Sequence, residues 1–249
     1  MINKIFKMFP LLKNIMNKKE AISTSNISSF HRILKNDIKK EPSSQEDEII
    51  FGCGCFWGAE KCFWKLPGVI TTSVGYAGGS KNNPTYYEVC SGLTGHSEVV
   101  RVVWDTNIID ISDLLKMFWE CHDPTQNNRQ GNDIGSQYRS SIYYKNSKYE
   151  KIILSSKDQY QKELDKYQFG LIQTEIKSIE TYFYAEQYHQ QYLAIDQNRQ
   201  YCSASPTKVK LGFFKGSNYK LKEDVWKNFD WEVEKCVLRS DNYPIKNTN

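Results

Sequence analysis

Nowhere in this 249-residue chain does an apolar run approach the roughly eighteen residues that a membrane helix needs, so no membrane span is expected. No segment recurs at a fixed period, which excludes solenoids and propellers. Acidic side chains are missing from the start, the first being Glu20. The cysteines Cys53, Cys55, Cys62, Cys90, Cys121, Cys202 and Cys236 lack the even count and clustering of a secreted disulfide framework, so a reducing compartment fits better. They also lack the paired spacing of structural zinc sites. Cys53, Cys55, Cys121 and His122 come nearest to a four-ligand set, and no metal site is expected from them.

What remains is the composition of a globular protein, 39% hydrophobic and 25% charged, long enough for one domain with appendages. The formal charge of +4 is unevenly held. Residues 1–44 carry nine bases against three acids, net +6, which leaves −2 for residues 45–249. The basic balance therefore belongs to a leader, and no nucleic-acid partner is expected. Ile2, Ile5, Phe6, Phe9, Leu12, Ile15 and Met16 fall at helical spacing among Lys4, Lys7, Lys13, Lys18 and Lys19. This acid-poor amphipathic start, with serines after it, is similar to a mitochondrial or other organelle presequence, although it uses Lys where such segments use Arg. The alternative is an N-terminal arm on a cytoplasmic protein.

Three regions follow: a leader over 1–45, a catalytic domain over 46–211 and an extension over 212–249. Glu48 to Gly52 reads as a buried strand, Trp57 to Lys65 as a helix ended by Pro67-Gly68, and Val69 to Tyr76 as a second strand. Ser97 to Trp104 is the clearest strand, with Val99, Arg101 and Val103 on one face and Val100, Val102 and Trp104 on the other. Ile111 to His122 is a helix capped by Asp110 or Ser112. Pro124 to Arg139 is a polar loop long enough to suggest function. A strand over Ser140 to Tyr144, a long helix from Ser147 to Lys166, a strand over Glu175 to Tyr182 and a short helix over Ala185 to Ile195 complete the pattern. The expected fold is α+β, a single domain with one mixed sheet flanked by helices. No heptad or broad apolar helix face asks for a second copy, so a monomer is expected. The aromatic residues beyond Cys202 are numerous enough to dock on the core.

The run Gly54-Cys55-Phe56-Trp57-Gly58 sets a thiol at a strand-to-helix junction. Unpaired N–H groups and the helix dipole there favour a thiolate, in settings that lower a thiol pKa to about 3.5–7.5. A buried structural cysteine is the plainer reading, but paired glycines and adjacent aromatics imply close backbone approach and a stacking wall.

Several further blocks accompany that run in order: Gly75-Tyr76-Ala77-Gly78-Gly79, Asn83-Pro84-Thr85-Tyr86, Thr94-Gly95-His96-Ser97-Glu98, His122-Asp123-Pro124, Arg129-Gln130-Gly131-Asn132-Asp133 with Gln137-Tyr138-Arg139-Ser140, and His189-Gln190-Gln191-Tyr192. Together they resemble the A-type peptide methionine sulfoxide reductases over roughly Glu48 to Cys202. The resemblance implies a ferredoxin-like two-layer sandwich and no cofactor. It makes Cys55 the nucleophile towards the sulfoxide sulfur and Glu98 the acid at its oxygen, kept protonated by burial. Phe56 and Trp57 would enclose the S-methyl group. Tyr86 and Tyr138 would hydrogen-bond the oxygen, and Asp133 would orient the substrate, methionine-S-sulfoxide, free or in peptides and proteins. The resulting Cys55 sulfenic acid would be resolved by a C-terminal cysteine, at Cys202, and recycled by thioredoxin, in repair of oxidised proteins. Ser203-Ala204-Ser205-Pro206 replaces the glycine-rich segment usual around that cysteine, and Cys236 is a second candidate relay. Taken singly, Phe56 and Trp57 are equally core residues, Glu98 a solvated strand end and Asp133 a turn residue. Two other classes stay open: a cysteine hydrolase with Cys55 activated by His96, His122 or His189, and a thiol redox sensor.

Overall fold

Glu46–Cys53 forms β1, the centre of a six-stranded sheet in the computed structural model, which describes residues 27–232 and 236–246. The basic helical pattern at residues 2–16 lies outside the described residues. Val69–Ala77 is β2, Ser97–Asp105 β3, Ser140–Tyr144 β6, Glu175–Ser178 β7 and Tyr182–Tyr184 β8. The sheet order is β7-β6-β1-β3-β2-β8, with the β6–β7 pair parallel and the others antiparallel, so the sheet is mixed as expected.

The stretch expected as one strand over 175–182 is thus two strands, at opposite edges of the sheet. Only Ile179–Thr181 separates them, so the sheet curls until its edges approach each other. Ile50, Ala77, Val99 and Tyr143 fill the small concave side, with Ile179 and Tyr182 packed against them. Lys177 Nζ reaches Gly78 O across the gap at 3.1 Å.

The convex side carries the main core. Helix α1 (Phe56–Trp64) crosses from β1 to β2, the short α2 (Tyr86–Cys90) precedes β3, and α3 (Ile111–Glu120) precedes the long loop. Phe51 of β1 stacks between Phe63 of α1 and Phe118 of α3, centroids 4.8 and 5.1 Å away. Replacing such a ring with alanine costs about 3–5 kcal/mol. Val100, Val102 and Trp104 join this core, as the alternation in β3 implies. Asp110 caps α3, its carboxylate accepting from Ser112 N at 2.9 Å while Asp113 reaches back to Asp110 N at 3.1 Å. Helix α4 (Glu150–Asp165) covers α3. No described helix is long and apolar enough to cross a membrane.

The boundary expected at residue 46 falls inside packed structure. His31 is fully buried, with Nε2 2.9 Å from Thr72 Oγ1, and Ile38 is 1% exposed. Arg101 pairs with Glu48 at 2.5 Å and donates to Lys40 O at 2.8 Å, tying the preceding segment to the sheet. Residues 27–45, placed with the leader by composition, pack against the sheet.

The extension docks as its aromatics suggested. Phe214, Phe229, Trp231, Trp226 of α5 (Glu223–Trp226) and Val237 of α6 (Cys236–Arg239) enter the main core. Residues 240–243 clasp the back of α1: Lys61 Nζ donates to Ser240 O, Trp64 Nε1 to Asn242 O, and Lys65 Nζ to Asp241 and Tyr243.

Candidate active site

Where β1 ends, Gly54 adopts φ +86°, and a Cβ there would stand 2.5 Å from Gln130 Cβ. Only glycine combines that backbone with that contact. The turn delivers Cys55 to the N-cap of α1, its side chain making no capping hydrogen bond. The helix's unpaired donors therefore find another acceptor, and Phe56 N–H donates to Glu98 Oε2 at 3.2 Å. Glu98 arrives from the second position of β3 and is 1% exposed.

These two groups sit in a cavity of ≈470 Å³. Phe56, Trp57, Tyr86, Asp133 and Tyr138 line it with them, so seven of the eight site residues expected from sequence converge there. The short hairpin β4 (Arg129–Gln130) and β5 (Asp133–Ile134) brings Asp133, and a 3₁₀ turn, Ser136–Tyr138, brings Tyr138. The polar loop over 124–139 holds its shape through its own side chains. Gln130 alone accepts from Asp123 N and Ser205 N and donates to Asp123 O.

Burial, opposed by the Phe56 N–H and reinforced by Asp133, pushes the Glu98 carboxyl up to about 8. It is therefore mostly protonated at neutral pH. Burial, then the Glu98 charge, likewise raises the Tyr86 and Tyr138 phenols, which stay hydrogen-bond donors. The same two causes push the Cys55 thiol well above its ordinary value, against the lowering effect of the Trp57 N–H. This corrects the expectation of a depressed thiol. The helix terminus acts in the expected direction, but desolvation and a neighbouring carboxylate outweigh it.

Tyr192, Arg199 and Tyr201 complete the lining and were not singled out from sequence. Tyr192 stacks on Trp57 with centroids 3.8 Å apart and planes 7° off parallel. Trp57 Nε1 donates to His189 Nδ1 at 3.1 Å, and His189 also packs on Phe56 and Tyr86. Glu186 accepts from Tyr86 N and Tyr76 OH, fixing the tyrosine wall from behind. These supports come from 185–195, expected as one helix and observed as two 3₁₀ turns, Gln187–His189 and Tyr192–Ala194. Buried Glu60 causes the break: it accepts from Gln191 N and Nε2 while Gln191 takes φ +48°.

The eighth residue, Cys202, lies outside the cavity. A Cβ on Gly58 would be 2.5 Å from Cys202 Sγ, so this thiol rests on α1 one turn from Cys55, where only glycine leaves room. Its segment is tied to the site through Asp133, whose carboxylate accepts from Tyr201 OH at 2.7 Å and from Ser203 Oγ. Asp133 thus serves the Cys202 segment in this arrangement.

None of the imidazoles required by the hydrolase alternative hydrogen-bonds Cys55. His96 accepts from Gly79 N and faces Lys81 O, His122 faces Phe118 O and Ser140 Oγ, and His189 holds Trp57. A protonated carboxyl and phenols beside the thiol are what sulfoxide chemistry calls for.

The family profile described as "Peptide methionine sulfoxide reductase" matches residues 47–220. The chain belongs to that family. It is 57% identical over 183 residues to the mitochondrial peptide methionine sulfoxide reductase of Bos taurus, covering 74% of this chain and 78% of the relative. It is 49% identical over 195 residues to the reductase MsrA of Vibrio vulnificus, covering 78% and 91%. Among solved structures, methionine sulfoxide reductase A of Corynebacterium diphtheriae superposes with TM-score 0.62 at 39% identity, over 74% of this chain and 88% of that one. Reduced Mxr1 of Saccharomyces cerevisiae gives TM-score 0.59 at 31% identity, over 66% and 92%. The protein is accordingly an oxidoreductase that reduces methionine sulfoxide.

Proposed function

We propose that Cys55 attacks the sulfur of methionine-S-sulfoxide held in the ≈470 Å³ cavity, with Glu98 as the acid at the sulfoxide oxygen. Phe56 and Trp57 face the S-methyl group, and the phenols of Tyr86 and Tyr138 donate to the oxygen. Oxygen passes from the substrate to Cys55, so the thiol and the sulfoxide become a sulfenic acid and a thioether with no net proton change. The observation that carries this reading is the buried Glu98 carboxyl at about 8, adjoining the N-cap thiol. An acid that is protonated near neutral pH supports proton donation of the kind usually worth about 10²–10⁴-fold.

Cys202 then condenses with the sulfenic acid, giving a Cys55–Cys202 disulfide and water, and thioredoxin supplies the two electrons that restore both thiols. The packing of Cys202 Sγ on Gly58 supports this, because it sets the Cys202 thiol against α1 three residues along from Cys55. Asp133 orients the substrate once the Tyr201 and Ser203 hydroxyls release it. The central order β6-β1-β3-β2, with α1 and α3 as crossovers, supports a ferredoxin-like description of the core. The acid-poor start supports a mitochondrial location, the one named for the Bos taurus relative. N-terminal sequencing of protein from its native cell tests for cleavage.

The deciding assay offers each sulfoxide epimer of a blocked methionine with dithiothreitol or with thioredoxin, thioredoxin reductase and NADPH. Product from the S epimer alone is expected, abolished in Cys55→Ser under both regimes. Cys202→Ser retains turnover with dithiothreitol and loses it with thioredoxin. Thioredoxin-driven turnover surviving in Cys202→Ser would assign resolution to another thiol, Cys236 first.

A further inference from the structure

Behind the substrate wall a chain of buried polar groups runs from α1 outward to residues 27–38. Glu60 follows Trp57 by three residues on α1, so the two side chains neighbour each other along the helix. Its carboxylate accepts from three donors, none of them on its own helix. Thr72 Oγ1 and Gln191 Nε2 donate to Oε1 at 2.9 and 2.8 Å, and Gln191 N donates to Oε2 at 2.8 Å. Glu60, Thr72, Gln191 and His31 are all 1% exposed or less. A carboxyl so far from water is costly unless such bonds satisfy it, and here each bond leads either to the wall or to residues 27–38.

On the wall side, Glu60 grips Gln191, which holds φ +48°, a conformation that a residue with a side chain keeps only where its surroundings impose it. The next residue, Tyr192, is thereby laid on the Trp57 indole, centroids 3.8 Å apart. On the other side the protons run one way. Burial, then Lys35, lowers the His31 imidazole to about 3, so it is neutral. Its Nδ1 accepts from Ile33 N and Leu34 N at 3.1 and 3.0 Å, which puts the single ring proton on Nε2. Nε2–H donates to Thr72 Oγ1 at 2.9 Å, leaving the hydroxyl proton for Glu60. Residues 27–38 also touch both 3₁₀ turns behind the wall. Ser28 N donates to Gln187 Oε1 at 2.6 Å and Arg32 N to Gln191 Oε1 at 3.4 Å.

We propose that Glu60 is a positioning residue for the reaction, holding the Trp57–Tyr192 wall against the substrate's methyl group, and that residues 27–38 lock it through His31 and Thr72. Resting on the place given above to Trp57 at the S-methyl group, this lock makes residues that never touch the substrate part of its selection. A slackened wall admits a larger alkyl group, so the lock favours methyl over ethyl.

The test follows single turnover without reductant, measuring methionine and ethionine formed from the S sulfoxide epimers of the two blocked amino acids as sulfoxide concentration rises. One methylene in a hydrophobic pocket is worth about 10–200-fold, so wild type should prefer the methyl substrate within that range. Thr72→Val keeps the shape and removes the hydroxyl. It should raise the half-saturating concentration about two- to tenfold, the usual worth of one hydrogen bond, and lower the methyl preference by a similar factor, with the saturated rate for methionine sulfoxide little changed. His31→Phe and Glu60→Gln should act alike, Glu60→Gln most strongly. Thr72→Ser and His31→Gln, which keep the hydroxyl and the Nε2 donor, should restore wild-type values. Tyr160→Phe deletes a buried hydrogen bond to Thr207, remote from the wall, and serves as the measure of general loosening. Thermal unfolding identifies the folded variants, and the Thr72 pair decides if His31→Phe does not fold. Equal losses of preference in Tyr160→Phe and Thr72→Val at matched unfolding midpoints overturn the lock, as does a failure of Thr72→Ser to restore it. A preference unchanged in folded Thr72→Val and Glu60→Gln, but lost in Trp57→Leu, also overturns it. A preference unchanged in Trp57→Leu overturns instead the place of Trp57 on which the lock rests.

Discussion

Gly58→Ala tests the proposed resolution of Cys55 by Cys202. The added methyl would stand 2.5 Å from Cys202 Sγ and 3.3 Å from its Cβ, so the cysteine must move. It cannot slide freely. Ser203 Oγ donates to Gln130 O at 3.1 Å and Ser205 N to Gln130 Oε1 at 3.1 Å, pinning the segment on its far side. Overpacking of this kind costs about 1–3 kcal/mol. Alanine meanwhile returns about 0.5–1 kcal/mol of helix propensity, so global stability changes little. The penalty falls on the docked position of Cys202. At about 1.36 kcal/mol per tenfold, its population drops roughly 5- to 150-fold. Thioredoxin-driven turnover should fall towards that factor as resolution becomes limiting. In the proposed cycle dithiothreitol reduces the Cys55 sulfenic acid without Cys202, so turnover with it should stay within about twofold of wild type, a margin of some 0.4 kcal/mol. Both rates are measured beside a thermal unfolding curve. An unchanged thioredoxin rate in a variant of unchanged unfolding midpoint would show that Cys55 is not resolved from the docked position.

Two further outcomes follow from the buried carboxyls. Glu98→Gln removes both the acid and a charge that raises the Cys55 thiol, so turnover should fall about 10²–10⁴-fold while the thiol titrates lower. Alkylation of Cys55 by iodoacetamide across pH, read from its peptide by mass spectrometry, should shift to lower pH than wild type; a shift upward or none refutes the electrostatic account. Burial lifts Glu60 from 4.5 to about 7, so the folded state holds a proton that the unfolded chain releases. Stability therefore falls as pH rises from about 4.5 to 7 and levels off above, by up to about 3 kcal/mol from this group. Glu60→Gln should flatten that part of the profile in urea unfolding, and an unaltered slope would rule the assignment out.

Local signals were legible where the chemistry is local. The period-two face of β3, the Asp110 cap and the cluster from Cys55 to Trp57 are written within a few residues, and the structure realises them. What escaped depends on burial and closure. Nothing within 175–182 says that the strand splits to opposite edges, because curling is a property of the whole sheet. The basic composition of residues 27–45 hides His31 and Ile38, which only the finished fold covers.

The thiol and the acid fail and succeed for one reason. At Cys55 the sequence displays the N–H groups of a helix terminus but not the desolvation that outweighs them. The same burial that raises the Cys55 thiol carries the Glu98 carboxyl to about 8. A raised thiol beside a raised acid is also the more useful pair. With the Glu98 carboxyl at about 8 and the Cys55 thiol higher still, the carboxyl is the first of the pair to lose its proton, and at pH 7 both groups hold theirs.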